Sequence, residues 1–357
     1  MHLEPRPAVT GAAALAVPAL AAAGAIVFTL AFCALLVSAA GAPVGQAYLA
    51  LFEGGFGSRF ALTETLTRAT PLILTGLAAA VAFRARFYNI GAEGQLMLGA
   101  LAAVAVGGMK DGWLATVPAP LLFGLMLCAA MAAAGLWLLL AALLRTRLAV
   151  DEVVVTLLAN FLVLLFASLL LDGPMKDPAA MGWPQSIALD DPLQLAKLVA
   201  RSRVHTGLLI ALAAAAGVWA LTRFTALGLE MRAVGAGAAA AGFAGIPVAA
   251  TVLKTALLSG ALAGLAGAVE VAGRAGYVTL DMSPGYGYAG IVVAMLAALH
   301  PLGVVAAAVC IAGVFVGADS MSRVVTVPTY IADVIVALAL LAALVAGLLV
   351  RYRVRWR

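Results

Sequence analysis

Two glycines, two amides and a carboxylate lie within one short stretch of this chain, Tyr88–Gln95 (YNIGAEGQ), between two long apolar runs. Amides and carboxylates can replace the water around a polar solute. Such groups are costly inside a bilayer and usually mark a pathway there, and non-helical backbone at that depth is buried in protein or lines a wet cavity. The stretch therefore predicts a discontinuous membrane segment beside a substrate path. The alternative interpretation is a cytoplasmic turn between two helices, with Glu93 solvated.

A second Gly-interrupted stretch, Ser283–Tyr288 (SPGYGY), occurs late in the chain, and the two stretches form a weak internal repeat. Thr75–Ala80 precedes the first, and the small-residue run Ser259–Gly267 precedes the second. Inverted repeats with a Gly- or Pro-interrupted segment in each half indicate a transport path near the membrane midplane. The alternative is that the small residues only allow close helix packing. We expect both roles together.

Six polar or aromatic side chains in these stretches are the candidate contacts along the path. They are Asn89, Glu93 and Gln95 on one side and Ser283, Tyr286 and Tyr288 on the other. Amides, carboxylates and hydroxyls form hydrogen bonds with a polar solute, and tyrosine rings offer a face for stacking. We expect weak binding, since a path that holds its cargo cannot release it.

The loop at 223–248 is the second informative region. An acid and a base lie two residues apart in it, followed by an alanine-rich run that glycines bracket. This pattern predicts a short amphipathic helix on the membrane face that docks a soluble partner, and the alternative is an ordinary connector. The candidate docking residues are Glu230, Arg232, Gly235, Phe243 and Gly245.

Signatures of an enzyme are missing from the sequence. Lys254-Thr255 follows a leucine within an apolar segment, so it is not a phosphate-binding loop. The three histidines, His2, His205 and His300, are too dispersed for a metal site. We expect no catalytic activity, no metal and no cofactor.

Composition predicts an all-α polytopic membrane protein. Hydrophobic residues make up 65% of the 357 residues and charged residues only 10%, against roughly 25% charged in soluble domains. The net charge of +5 comes largely from loop and terminal arginines, which indicates anchoring to membrane lipid rather than binding of a nucleic acid polymer. The three cysteines lie far apart in apolar runs and predict no disulfide framework.

Ten apolar runs approach the length of about 20 residues that crosses a bilayer core. They are 14–39, 65–83, 91–108, 116–144, 150–171, 204–222, 249–272, 286–299, 301–318 and 328–350. The eighth and ninth are separated only by His300-Pro301, so they predict either one bent helix or a tight hairpin.

The arginines predict the orientation of these segments, because loops on the cytoplasmic side carry an excess of Lys and Arg. With the N-terminus (1–13) inside, the arginine-rich loops and the basic tail (351–357) also lie inside. The transmembrane domain is then 14–350, with an extracytoplasmic loop at 172–203 and the cytoplasmic loop at 223–248.

Taken in order, these stretches resemble the permease subunits of bacterial ABC importers for nucleosides and simple sugars, relatives of the ribose and branched-chain amino acid permeases. The resemblance covers most of the chain from about Arg68 to Val350. It rests on Arg68–Pro71, Phe87–Gln95, Gly173–Pro178, Arg232–Gly235, Ala244–Ile246, Ser259–Gly264 and Ser283–Gly287. The Asn-Ile-Gly-Ala-Glu-Gly-Gln form resembles the nucleoside branch.

The resemblance implies a bacterial plasma-membrane protein with no ATPase of its own. It also implies three partners: a second permease in a heterodimer, a cytoplasmic ATP-binding subunit, and an extracytoplasmic lipoprotein that delivers substrate. Arg232–Ile246 would be the coupling helix that seats in the ATPase. The chain departs from the family pattern at Ala236–Ala238, where relatives tend to carry an Asn-Pro pair and a basic residue, and at Tyr88, where phenylalanine is usual.

A self-contained secondary transporter or channel is the alternative function. It would use buried acids in the path, and Glu93, Glu270 and Asp333 are the candidates. The presence of a companion ATP-binding subunit distinguishes the two functions.

Overall fold

The computed structural model describes residues 2–5, 13–108, 114 and 116–355. The regular secondary structure of the described chain is helical apart from two short terminal strands. The helices are α1 (Ala13–Ala39), α2 (Val44–Phe52), α3 (Arg59–Arg84), α4 (Ala92–Gly107), α5 (Ala119–Leu148), α6 (Glu152–Asp172), α7 (Gly207–Phe224), α8 (Ala226–Ala236), α9 (Ala238–Phe243), α10 (Val248–Glu270), α11 (Tyr286–Leu296), α12 (Pro301–Val324) and α13 (Thr329–Arg351). The strands are β1 (His2–Pro5) and β2 (Tyr352–Arg355), which pair antiparallel.

The ten predicted segments correspond to ten apolar helices. Six helices in the described chain are long and apolar enough to cross a membrane, namely α3, α5, α6, α7, α10 with its π-helical continuation, and α12. Four shorter apolar helices, in α1, α4, α11 and α13, bring the number to ten. The eighth and ninth segments are separate helices, because α11 ends at Leu296 and α12 begins at Pro301.

The chain divides into two compact units. The first comprises Met1–Thr65 and Cys310–Arg357, and the second comprises Leu66–Val309. Within the first unit α1 packs against α13, and Gly313 lies against the ring of Phe56. The second unit contains both Gly-interrupted stretches and the 223–248 loop.

Glycines bring α4, α5 and α10 into backbone contact in the core of the second unit. A Cβ added to Gly99 would lie 2.3 Å from the carbonyl oxygen of Gly264, and one added to Gly264 would lie 2.3 Å from that of Ala130. One added to Gly267 would lie 1.9 Å from the carbonyl oxygen of Leu96. The run Ser259–Gly267 thus packs helices closely, as small residues do in membranes.

One end of the second unit is rich in arginine, and we call it the arginine end. α3 ends there at Arg84, and the last turn of α5 carries Arg145 and Arg147. The two helix ends are adjacent, because the Arg145 guanidinium donates a 2.8 Å hydrogen bond to the carbonyl of Arg86. α6 begins at this end, so the loop that follows α6 lies at the opposite end.

Candidate functional site: two re-entrant segments

The chain after α3 turns back into the bundle. Residues 85–91 are not helical, and Asn89 Nδ2 lies 3.1 Å from Ser259 Oγ, which lies 2.8 Å from the carbonyl oxygen of Ala78. Ala78 precedes the end of α3 by six residues, about 9 Å of helix rise. The chain therefore re-enters before α4 begins. This agrees with the predicted discontinuous segment, and the alternative of a surface turn does not hold.

The loop before α11 re-enters from the opposite end. Residues 276–278 pair with the loop that follows α6, and Thr75 Oγ1 donates a 2.9 Å bond to the carbonyl oxygen of Tyr286. Thr75 lies nine residues before the end of α3, about 14 Å from the arginine end. α11 then runs toward that end, where Arg84 donates a 2.6 Å bond to the carbonyl oxygen of Leu299. The two stretches thus enter from opposite ends.

The N-termini of α4 and α11 meet at Glu93. The backbone N–H of Gly287 donates a 2.6 Å hydrogen bond to Glu93 Oε2, and a Cβ added to Gly287 would lie 2.2 Å from the backbone N of Glu93. The Ser283 hydroxyl also bonds this carboxylate. The first N–H groups of a helix have no intrahelical partner and favour negative charge. One carboxylate therefore serves two helix N-termini, from which the half-helices run in opposite directions.

Two buried amide side chains join the beginning and the end of the first re-entrant segment by hydrogen bonds. Asn89 and Gln95 exchange two reciprocal hydrogen bonds of 2.9 Å, and both side chains are at most 1% exposed. Asn89 Oδ1 also accepts from the N–H of Gly91 at 2.9 Å, and its Nδ2 reaches Ser259. The polar groups of both side chains are thus engaged with the protein itself.

A stripe of polar side chains on α6 supports the backbone of the same segment. Glu152, Thr156 and Asn160 are spaced four residues apart and therefore lie on one helix face. The bonds are Tyr88 N to Glu152 Oε1 at 3.2 Å, Ile90 N to Thr156 Oγ1 at 3.2 Å, Gly94 N to Asn160 Oδ1 at 2.9 Å and Asn160 Nδ2 to the Ile90 carbonyl at 3.1 Å. Because extended backbone inside a bundle cannot leave its N–H and C=O groups unpaired, α6 supplies the partners.

Sequence reasoning missed most of this stripe. Acidic residues are favourable at a helix N-terminus, and Asp151 caps α6 by accepting from Val153 N at 2.8 Å. Glu152, the next residue, instead bonds Arg145 at 2.6 Å and the re-entrant backbone. The signal available in the sequence was the repeat of polar residues every fourth position in an otherwise apolar helix.

The loop at 173–206 supports the second re-entrant segment in the same way. Ser186 and Val278 exchange bonds of 2.9 Å, from Ser186 N to the Val278 carbonyl, and 2.8 Å, from Val278 N to Ser186 Oγ. Leu189 N donates to the carbonyl of Gly276 at 2.7 Å. The loop is therefore structured, and it is bonded to the chain that leads into α11.

His205, in this loop just before α7, is 1% exposed and packs its ring against Gly273. Its Nδ1 accepts from Gly207 N at 3.2 Å, while Nε2 is buried with no hydrogen-bond partner among the described residues. Burial lowers the pKa of His205 to about 4, from an ordinary value of 6.5. The folded loop therefore holds this imidazole neutral.

Lowering the pH is expected to weaken the fold of this loop. Above pH 6.5 His205 is neutral in both states, whereas between 6.5 and about 4 the unfolded chain binds a proton that the folded chain excludes. The free energy of unfolding should fall by about 3 kcal/mol over that range. Hydrogen exchange of amides 196–206, measured against pH, should show this.

The substitution His205→Asn should remove most of that pH dependence, because the Asn Oδ1 can replace Nδ1 as the acceptor for Gly207 N and does not titrate. His300→Asn is the matched control, since His300 is exposed and its Nδ1 makes the same kind of local bond, to Gly303 N at 3.3 Å. Equal pH dependence in wild type and His205→Asn would contradict the prediction.

The structure separates the six predicted path residues into two groups. Tyr288 is 41% exposed, and Glu93 and Ser283 are half-buried. Asn89, Gln95 and Tyr286 are at most 1% exposed. All six lie around the place where the half-helices meet, and the Tyr288 hydroxyl accepts a 3.1 Å hydrogen bond from Asn160 Nδ2.

The predicted docking loop forms two short helices, α8 and α9, with Gly237 between them rather than one continuous helix. Phe243 is 98% exposed at the end of α9, and Gly245 follows with a positive φ of 84°. Glu230 accepts a 3.0 Å bond from Thr251, and Arg232 donates to the carbonyl of Thr222.

α8 also lies against the start of the first re-entrant segment. A Cβ added to Gly235 would lie 2.1 Å from the carbonyl oxygen of Arg84. Val234 and Ala241 share a buried apolar cluster with Phe87, which leads into that segment. The exposed loop and the polar site are thus linked by direct packing.

Comparisons with known proteins agree with this architecture. A family model described as "Branched-chain amino acid transport system / permease component" matches residues 61–349. The chain is 37% identical to a guanosine ABC transporter permease protein of Bacillus subtilis, over 89% of this chain and 90% of the relative. It is 36% identical to a glucose ABC transporter permease protein of Haloferax volcanii (87% and 82% covered), and 28% identical to a nucleoside ABC transporter permease protein of Lactococcus lactis (84% and 83%). No solved structure shows significant similarity.

Proposed function

Because the chain belongs to the family of branched-chain amino acid transport system permease components, and is therefore a multi-pass permease subunit of an ABC importer, we propose that its cargo is a nucleoside or a related simple sugar. The observation that carries this proposal is the polar meeting point of α4 and α11. Tyr288 offers an exposed ring there, beside the half-buried Glu93 and Ser283. Relatives named for guanosine, nucleosides and glucose support the same cargo class.

The exposed and the buried members of the site have different roles in this proposal. Tyr288 contacts the cargo by stacking and hydrogen bonding, with Glu93 and Ser283 at the edge of the contact. Asn89, Gln95 and Tyr286 are buried, so they hold the re-entrant segments in place beneath the contact surface. Binding is weak, which allows release.

The importer contains further subunits. A cytoplasmic ATP-binding subunit supplies the energy, an extracytoplasmic lipoprotein delivers the cargo, and a second permease of the same family completes a heterodimer. Two guanosine permease proteins of Bacillus subtilis are each similar to this chain, at 37% and 31% identity, which supports a pair of related permeases. The arginine end faces the cytoplasm of a bacterium, and both termini lie on that side of the plasma membrane.

The loop formed by α8 and α9 couples ATP hydrolysis to the path. Phe243 and Gly245 form its exposed contact with the ATPase, and Glu230 and Arg232 anchor it to the bundle. Movement of α8 is passed through the contact of Gly235 with Arg84 to the re-entrant segment. This is a rigid-body change between two states.

Gly235→Val should uncouple ATP hydrolysis from uptake. The valine side chain cannot fit against the Arg84 carbonyl, so α8 must move away and uptake per ATP should fall at least fivefold, about 1 kcal/mol of coupling. Uptake and phosphate release in proteoliposomes measure this ratio. Gly237→Val is the matched control, since an added Cβ there meets only Ala240 Cβ at 3.9 Å. Equal ratios in both variants would contradict the coupling role of Gly235.

The test of the proposed function is ATPase activity of the complete complex in lipid, with the binding protein loaded in turn with nucleosides, sugars and amino acids. We expect stimulation by a nucleoside or a simple sugar. Stimulation by amino acids alone would overturn the cargo. A chain that binds no ATPase and moves solute along an ion gradient would instead support the self-contained transporter.

A further inference from the structure

The orientation of the Asn160 amide is determined by its surroundings. The backbone N–H of Gly94 is a donor, so the Asn160 atom 2.9 Å from it must be the acceptor Oδ1. Nδ2 therefore faces the other way, where it lies 3.1 Å from the Ile90 carbonyl oxygen and 3.1 Å from Tyr288 Oη. The side chain is 1% exposed, so water does not compete for these bonds.

This orientation determines the hydrogen-bonding role of Tyr288. Nδ2 has two protons, one for the Ile90 carbonyl and one for Tyr288 Oη, and an amide nitrogen accepts none. Tyr288 Oη must therefore accept from Asn160. Its own single proton is directed elsewhere, and no acceptor among the described residues takes it. With its side chain 41% exposed, Tyr288 can offer a donor to a passing solute.

We propose that Asn160 is a positioning residue that makes Tyr288 a hydrogen-bond donor toward the cargo. The permease then selects solutes that place an acceptor opposite Tyr288, and this acceptor is either a ring nitrogen or a carbonyl oxygen. This inference rests on the proposed function, and it specifies which chemical group of the cargo the permease recognises. A tyrosine free of such a constraint could also accept from a cargo N–H. The bond from Asn160 disfavours that mode, because it already uses one of the two lone pairs of the hydroxyl oxygen.

The test compares uptake of guanosine with uptake of two analogues, in each of which one acceptor of the base is removed or weakened. These are 7-deazaguanosine, without the ring nitrogen, and 6-thioguanosine, in which sulfur, a much weaker acceptor, replaces the carbonyl oxygen while the N1–H donor is retained. The complete complex is used in proteoliposomes. We expect the wild-type complex to transport one of the two analogues, the one in which the recognised acceptor is removed or weakened, with an apparent KM about tenfold higher than that of guanosine. This is the order expected for loss of one hydrogen bond, and the maximal rate should change little.

Tyr288→Phe and Asn160→Leu should both reduce that preference to within about twofold. Tyr288→Phe retains the ring and should leave the KM of the disfavoured analogue unchanged, which separates recognition from folding. Tyr88→Phe is the matched control, because Tyr88 is equally exposed at 44% and its hydroxyl is not bonded by Asn160. It should retain the wild-type preference.

The first two results below would overturn the whole inference while leaving the proposed function intact, and the last would overturn the role of Asn160 alone. In the first, the wild-type complex transports guanosine without preference over either analogue. In the second, Tyr288→Phe retains the preference for guanosine, which would mean that another group donates to the acceptor of the cargo. If the complex transports no nucleoside or sugar, the proposed function itself is overturned and the inference falls with it. A parallel loss of uptake for all three solutes in Asn160→Leu, with an unchanged preference, would assign Asn160 a purely structural role.

Discussion

Glu93→Ala is expected to reduce uptake by the complete complex at least tenfold while leaving the chain in the membrane. The carboxylate accepts a 2.6 Å hydrogen bond from Gly287 N, is bonded by Ser283 and lies at the start of α4. Its removal leaves a Gly287 N–H without its acceptor and two positive helix ends side by side. Loss of a hydrogen bond to a charged group costs about 1.5–3 kcal/mol, which is sufficient to displace α11 from α4.

The prediction for Glu93 is checked by initial rates of uptake in proteoliposomes. Glu93→Gln should be intermediate, because its amide oxygen still accepts from Gly287 although the charge is lost. Asp281→Ala is the matched control, since Asp281 is an exposed carboxylate in the loop that leads to α11, and it should transport at the wild-type rate. Wild-type uptake by Glu93→Ala would show that the two half-helices do not depend on this carboxylate.

Gly267→Val is expected to prevent the second unit from packing. A Cβ at this position would lie 1.9 Å from the Leu96 carbonyl oxygen and 2.8 Å from the backbone N of Ala100, and neither backbone atom can move without shifting α4. Overpacking in a core typically costs 1–3 kcal/mol and occasionally more. Because α4 begins at the polar site, the shift should also separate Glu93 from Gly287.

Thermal unfolding of the purified chain in detergent, followed by size-exclusion profile, measures this effect. We expect Gly267→Val to unfold at a temperature lower by at least about 5 °C or to aggregate. Gly217→Val on α7 is the matched control, because an added Cβ there meets nothing within 4 Å. Both variants carry the same cost of valine in a helix, so equal destabilisation would show that the α4–α10 contact is not the cause.

Much of the architecture was predictable, because hydropathy acts locally. A run of apolar residues must reach lipid or core whatever its neighbours do. All ten segments were identified in this way, as was the interruption before α4, since buried polar residues and glycines in a membrane chain have few other uses. The break of the 223–248 loop at Gly237 was not identified, because glycine there is compatible with either a helix or a bend.

The sequence by itself determined that this chain is a polytopic membrane protein with two Gly-interrupted segments and an exposed loop suited to docking. Only the tertiary structure decided that the two segments meet, with Glu93 and Gly287 bonded across 194 positions of sequence. It also decided that Tyr288 is exposed while Asn89 is buried, and that Asn160 bonds both re-entrant backbone and Tyr288. The physical reason is that burial in lipid is a property of each segment, whereas hydrogen-bond partners inside a bundle depend on how distant segments pack.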